Sequence, residues 1–193
     1  MSLALSMAAF ALATSITPGP VNLVALSGAA RHGLAPALRH VSGATVGFTL
    51  LLLLSGLGLH TLLRDYPLLG QGLQGVGVAY LVWLALSLAL DNGQLHAGSG
   101  PKPAFISGAL MQWLNPKAWL ACGAGMAAFA GDGGWARVGL FAAIYFVVCY
   151  ASLACWALAG RWLRQRLGNP ARVRLFNRSM AALLAGSALY LLR

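Results

Sequence analysis

Two interruptions in otherwise apolar sequence hold the residues best suited to chemistry. The first is Thr17-Pro18-Gly19-Pro20-Val21-Asn22 and the second is Asn115-Pro116-Lys117. A proline inside a helix removes a backbone donor and clashes with the preceding turn. Two prolines around a glycine should therefore open a helix, and Asn115-Pro116 should bend or break one. The groups so released can hold polar ligands. Half-helix amino ends attract anions. Freed carbonyls near Thr17 and the amide oxygens of Asn22 and Asn115 accept from cations. Lys117 adds a full positive charge beside the second break. At each break the alternative is a packed kink, with the asparagines capping broken backbone and Lys117 snorkelling to water.

The elements that must position these residues are membrane helices. Of 193 residues, 59% are hydrophobic and only 8% are charged, with 13 Lys+Arg, 3 Asp+Glu and no glutamate. Mean hydropathy is +0.75. Soluble domains carry roughly 25% charged residues, and disorder requires low hydrophobicity, so both classes are excluded. A bilayer core needs about 20 mostly apolar residues per helix. Six segments qualify: 3–30, 41–63, 68–90, 105–130, 135–160 and 175–192. The breaks interrupt the first and the fourth. In lipid, opened backbone must be buried in protein or line a polar cavity.

The basic residues set a direction. Arg31, Arg39, Lys102, Arg161, Arg164, Arg166, Arg172, Arg174 and Arg178 fall on one side, against Arg64, Arg137 and Arg193 on the other. Positive loops stay cytoplasmic, so both termini face outward, or the C-terminus faces inward if the last segment does not cross. This placement between apolar runs accounts for the net charge of +10 and excludes nucleic acid as the partner. Trp135, Trp162 and Tyr66 suit interfacial positions. Ala11-Leu12-Ala13 is like a cleavage site, but no basic residue precedes it and the apolar pattern resumes at Val21, so the segment is read as retained. Cys122, Cys149 and Cys155 fit neither a disulfide framework nor a metal spacing and read as packed apolar residues.

Pro18 and Pro116 are 98 positions apart, about half the chain. Each lies in the first span of a three-span unit, and an odd number of spans inverts the second unit. Paired interruptions of this kind point to a transporter's midplane site. The expected fold is all-α: a polytopic membrane protein of six transmembrane helices in two inverted three-helix repeats, with helices one and four broken. One domain covers 1–193, with half-repeats of about 1–96 and 97–193. Gly43 and Gly47 form a small-xxx-small pattern that suits close helix packing.

Thr17-Pro18-Gly19-Pro20 with Asn22, then Ala30-Arg31-His32-Gly33, resembles the N-terminal signature of the LysE/RhtB amino-acid exporters. Gly77-x-x-Tyr80-Leu81 with Trp83-Leu84 resembles that family's third span. Phe105-x-x-Gly108 and Gln112-Trp113-Leu114-Asn115-Pro116-Lys117-Ala118-Trp119 resemble its fourth, and Asn177-Arg178 precedes the last. Val21 stands where the family usually has another asparagine. Ala85, Ala181 and Ala182 fall where glycines are usual, and Pro-Gln-Phe is absent near Phe129. The resemblance implies a six-span inner-membrane exporter of amino acids or related metabolites, driven by the proton gradient, as a single LysE-type domain.

For such a substrate, the segments resuming after Pro20 and Pro116, with Lys117, would receive the carboxylate. Freed carbonyls near Thr17 with Asn22 and Asn115 would receive the ammonium. The expected substrate site is Thr17, Pro18, Gly19, Pro20, Asn22, Asn115, Pro116 and Lys117. Asp65, Asp91 and Asp132 are the only side-chain carboxylates, and all lie at loops or span edges. A second cation would lack a partner and meet Lys117, so neutral substrates are favoured, such as threonine, homoserine or branched-chain amino acids. The expected partners are that amino acid, membrane lipids and the coupling proton; a homo-oligomer is left open. Candidate proton carriers are Lys117, His40, His60 and Asp65, while His32 and His96 read as solvated. No cofactor is expected. An enzyme is disfavoured because no acidic pair or metal-ligand set lies within the spans. Cadmium-like ions are disfavoured because neither thiol pairs nor carboxylates line the breaks. The rival class is a non-transporting scaffold or channel subunit, which would not need two breaks at matching depth.

Overall fold

The computed structural model describes residues 2–58, 65–90, 102–130, 134–166 and 170–191. Among these the chain is all helical, with eight helices and no strand. They are α1 (Leu3–Ile16), α2 (Pro20–His32), α3 (Leu34–Gly56), α4 (Pro67–Ala89), α5 (Phe105–Trp113), α6 (Pro116–Phe129), α7 (Gly134–Arg166) and α8 (Pro170–Leu191). His60, His96, Asp91, Asp132, Arg64 and Arg193 lie outside the described residues.

Local chemistry explains the helix ends nearest the site. Ser2 caps α1 by accepting from the Leu5 amide at 3.4 Å. Pro18 disfavours helical geometry in the residue before it, and Thr17 is extended, with φ −63° and ψ 140°. Pro20, which lacks an N–H, then occupies the first turn of α2, where no donor is needed. Asn115 is likewise extended before Pro116 (φ −98°, ψ 108°), and its side chain accepts from the Lys117 amide. Both expected interruptions are therefore present as helix ends, and the axes of α1 and α2 differ by 60°.

The first loop differs from expectation. Arg39 and His40 lie within α3, which begins at Leu34 rather than near Val41, so Gly33 alone separates α2 from α3. Gly33 has φ 89° and ψ 174°, a conformation that disfavours a Cβ. Gly33→Ala should lower stability by about 1–3 kcal/mol, readable as a fall in melting temperature of the detergent-solubilised chain.

By length and apolarity, α3 and the 134–163 part of α7 can each cross a bilayer, and α1 with α2 makes a third span if the bent pair counts as one. The apolar stretch of α4 is the shorter Gly75–Ala89. Among the described residues, up to three of the six expected spans are thus long and apolar enough to cross. Large apolar side chains lie exposed on every helix but α2, for example Leu5, Leu50, Leu86, Ile106, Leu120, Val147 and Leu189. Water does not tolerate apolar surface on that scale, whereas lipid does. The chain is a multi-pass membrane protein. Trp135 and Trp162 are exposed near opposite ends of α7, about 40 Å apart along the axis at 1.5 Å per residue, close to the span of a bilayer with its interfaces.

The core forms where α3 and α7 cross α1, α2 and α5, while α4 packs mainly on α8. Small residues permit these crossings. A Cβ on Gly43 would overlap the Phe105 carbonyl, and one on Gly47 would come within 2.8 Å of Ala109 backbone. Gly108 lies as tightly against the His40 carbonyl, and Gly160 against that of Leu26. Aromatic rings fill the centre: Phe48 stacks on Tyr145 at 4.2 Å, and Phe141 meets Tyr145 edge-on at 5.7 Å. Cys122 and Cys149 are buried as expected of packed residues, but Cys155 is exposed.

Candidate functional site

A continuous helix through the first break would pair the carbonyls of Ser15, Thr17 and Pro18 with amides four residues on, and would leave that of Ile16 without one, since Pro20 has no N–H. The break withdraws those amides, and each carbonyl left dry at membrane depth costs free energy. Side chains from three helices replace them. Asn22 Nδ2 donates to the Ser15 carbonyl at 2.8 Å. Trp156 Nε1, from α7, donates to the Ile16 carbonyl at 3.0 Å. Lys117 Nζ, from α6, donates to the Thr17 carbonyl and to Thr17 Oγ1, both at 2.7 Å, and reaches the Pro18 carbonyl at 3.5 Å. Regular pairing resumes where the Leu23 amide donates to the Gly19 carbonyl at 3.0 Å.

The second break is repaired in the same manner. The Lys117 amide would have paired with the Trp113 carbonyl, but it donates to Asn115 Oδ1 at 3.1 Å. Trp119 Nε1 donates to the Trp113 carbonyl at 2.8 Å. Both asparagines thus cap broken backbone, and an indole serves each break. Asn22, Asn115 and Gln112 are all buried, and Asn115 Nδ2 lies 3.5 Å from Gln112 Oε1.

The eight residues expected to form the site are brought together, joined by the 100-residue contact between Thr17 and Lys117. The Gly19 position faces the lysine, since a Cβ there would lie 3.4 Å from Lys117 Cδ and Nζ. Asn115 and Lys117 line two cavities. An inner one of about 30 Å³ is bounded also by Thr14, Ser15, Asn22, Gln112 and Tyr145. That volume suits a water rather than an amino acid. An outer, more apolar cavity of about 470 Å³ is bounded by Pro18, Gly19, Pro20, Pro116 and, from α4 and α8, by Leu81 and Gly186. Its size lies within the range of small-molecule sites.

Several contributors escaped the sequence reading. Thr14 Oγ1 donates to the Phe10 carbonyl at 2.7 Å, so Tyr145 OH is the donor in the 2.7 Å bond between the two hydroxyls. This leaves the Tyr145 oxygen as an acceptor for the inner cavity. Ser15 Oγ lies there buried and without a hydrogen-bond partner. A Cβ on Gly77 would overlap the Leu114 carbonyl, so this glycine lets α4 approach the second break. Gly77 stands in the third-span motif, and Thr14 and Ser15 cluster just before the first break; Tyr145 and Trp156 look like ordinary apolar-span residues. Trp156→Phe should strip the Ile16 carbonyl of its donor and cost about 1–3 kcal/mol, seen as a lower melting temperature with unchanged helical content.

Other candidates are placed differently. His40 is fully buried; its Nδ1 lies 3.3 Å from Ser107 Oγ and its Nε2 has no partner. Asp65 is exposed. His32, expected to be solvated, ends α2 and is half-buried. Among the described residues no group of three or more His, Cys, Asp or Glu side chains could hold a metal ion.

The family model described as LysE type translocator matches residues 12–193, nearly the whole chain and both breaks. The chain belongs to the LysE-type translocator family. This LysE-type translocator is 30% identical over 183 residues to a cysteine/O-acetylserine efflux protein of Klebsiella pneumoniae, covering 94% of this chain and 90% of the relative. It is 31% identical over 186 residues to a protein of the same name from Escherichia coli O139:H28, covering 94% and 91%. With that of Escherichia coli K12 it shares 32% identity over 163 residues, covering 82% of each. No solved structure matches the chain. The family is one of amino-acid efflux transporters, not enzymes.

Proposed function

We propose that this translocator exports small neutral amino acids across the bacterial inner membrane as a proton-coupled secondary transporter. Its substrate site comprises Thr17, Pro18, Gly19, Pro20, Asn22, Asn115, Pro116 and Lys117. The observation that carries this reading is the contact of Lys117 Nζ with Thr17, which joins the two broken helices at one point. A zwitterion there meets a fixed cation, two half-helix amino ends and the released carbonyls. Transporters of other folds use broken helices in this way.

Substrate charge follows from what surrounds the breaks. The chain has three aspartates in all. Asp65, the one within the described residues, is exposed in the segment before α4. A lysine or arginine substrate would bring a second cation toward Lys117 with no carboxylate among the described residues to receive it. The relatives' names, cysteine/O-acetylserine efflux protein, favour the small polar members of the neutral class over branched-chain ones.

Six spans in two inverted halves are supported by how the helices pair. Exchanging α1–α4 with α5–α8 turns the α3–α5 contact into α7–α1 and leaves the α3–α7 and α4–α8 contacts in place. At 1.5 Å per residue, α4 and α8 are each over 30 Å long, enough to cross a bilayer core.

The test is an efflux panel. Cells lacking their own exporters are loaded with labelled amino acids, and release is followed with and without a protonophore. Saturable release of cysteine-like or other small neutral substrates, lost with the protonophore, is expected. Clear preference for lysine would sink the neutral assignment. Release that never saturates would favour a channel, and the absence of release would favour a scaffold.

A further inference from the structure

The carbonyls released at the first break already hold an ammonium group, and it belongs to the protein. Lys117 Nζ has three protons to donate, and three oxygens receive them: the Thr17 carbonyl and Thr17 Oγ1 at 2.7 Å and the Pro18 carbonyl at 3.5 Å. A primary ammonium needs the same ring of acceptors, so the cradle that suits the lysine suits an amino acid's α-ammonium equally. Both cannot sit there, because one ammonium already takes the three acceptors and like charges a few ångströms apart repel.

The position of the lysine makes that competition consequential. Lys117 borders the outer cavity of about 470 Å³ and also the inner cavity of about 30 Å³. Its side chain passes over Gly19, where a Cβ would be in van der Waals contact with the lysine at 3.4 Å. The inner cavity is lined by Asn22, Gln112, Tyr145 and the buried, unpartnered hydroxyl of Ser15. Lys117 therefore borders both a chamber large enough for an amino acid and a polar pocket too small for one, while Thr17, which it binds, is exposed.

We propose that the Thr17–Pro18 cradle is an ammonium-binding site which Lys117 fills in this conformation, and that the substrate's α-ammonium displaces it, releasing the lysine to the substrate's carboxylate. This rests on the reading of both breaks as the substrate site. The lysine is then a tethered competitor as well as an anchor. Substrate entry exchanges one ammonium for another, so the released carbonyls are never left without a donor. A ligand with an amine but no carboxylate must displace Lys117 without offering it a new partner, and so binds poorly.

The two halves of an amino acid, used as separate probes, test this. Binding of n-propylammonium and of propionate to the full chain in detergent is measured by indole fluorescence, since Trp156 is bonded beside the cradle. Lys117→Met removes the competitor and should bind n-propylammonium at least about tenfold more tightly than the wild type. Lys117→Arg keeps a cation and should not. Equal or weaker amine binding by Lys117→Met overturns the exchange. Should that variant fail to fold, the wild type suffices. The chain has two lysines, Lys102 and Lys117, so side-chain 15N-lysine labelling gives two resonances. Saturating n-propylammonium should shift that of Lys117 and leave that of Lys102; an unmoved Lys117 signal overturns the exchange. Propionate tests the underlying reading separately: its binding should be lost in Lys117→Met, and unchanged binding defeats the carboxylate anchor whatever the amine arm gives.

Discussion

Lys117→Ala should reduce efflux about a hundredfold while the protein still reaches the membrane at near-normal level. Its ammonium, held by two short bonds to Thr17 in this conformation, is the fixed charge offered to a substrate carboxylate. A hydrogen bond between charged groups contributes about 1.5–3 kcal/mol, and about 3 kcal/mol corresponds to roughly two powers of ten. Alanine removes both bonds, strips the Thr17 carbonyl of its donor and deletes the fixed charge available to a carboxylate. Folding should suffer less, because Lys117 is only half-buried and borders an open cavity. Lys117→Arg keeps the charge but not the geometry of a compact ammonium over Gly19, so partial activity is expected. Release of preloaded labelled substrate, normalised to protein level by immunoblot, gives the result. Unaltered efflux at normal protein level would remove Lys117 from the site.

Gly43→Ala should do the opposite, lowering stability while leaving the site's chemistry untouched. A methyl group there would overlap the Phe105 carbonyl, which belongs to helix backbone and cannot turn aside. Helices α3 and α5 would have to separate along a contact that also buries Gly47 and Gly108. Overpacking of this kind costs about 1–3 kcal/mol or more, and for a chain of this size each kcal/mol lowers the melting temperature by roughly 2–4 °C. A fall of about 6 °C or more in detergent is expected. Gly139→Ala is the control. It lies in α7 with nothing within 4 Å of its added methyl, so relief of the glycine penalty should leave stability unchanged or raise it by about 1 kcal/mol. Equal effects at the two sites would mean that close helix approach is not what Gly43 provides.

The two substitutions separate what the sequence discloses from what it hides. Proline chemistry is local, so the helix ends at Ile16 and Trp113 could be read from Pro18, Pro20 and Pro116 before any packing was known. The extent of α3 could not: seven more residues, Arg39 and His40 among them, continue the helix back to Leu34. Pro36, Arg39 and His40 make them look like loop, yet Ala37 and His40 are fully buried against neighbouring helices. Tertiary burial overrode a composition signal there. The eight residues expected at the site do meet, and in this conformation Lys117 holds the Thr17 carbonyl that a substrate's ammonium would need.

What the sequence determined by itself is whatever depends on residue type and near neighbours. A bilayer as solvent follows from 59% hydrophobic and 8% charged residues. So do the two breaks, the lysine beside one of them and the scarcity of acids. The tertiary structure alone decided which donors satisfy the opened backbone. Lys117 lies 100 positions from Thr17, and Trp156 lies 140 from Ile16. A break states only that carbonyls are free; it carries no address for the groups that bind them. That address is set by how closely α3 approaches α5 and α7 approaches α2, which the backbone contacts at Gly43, Gly108 and Gly160 fix.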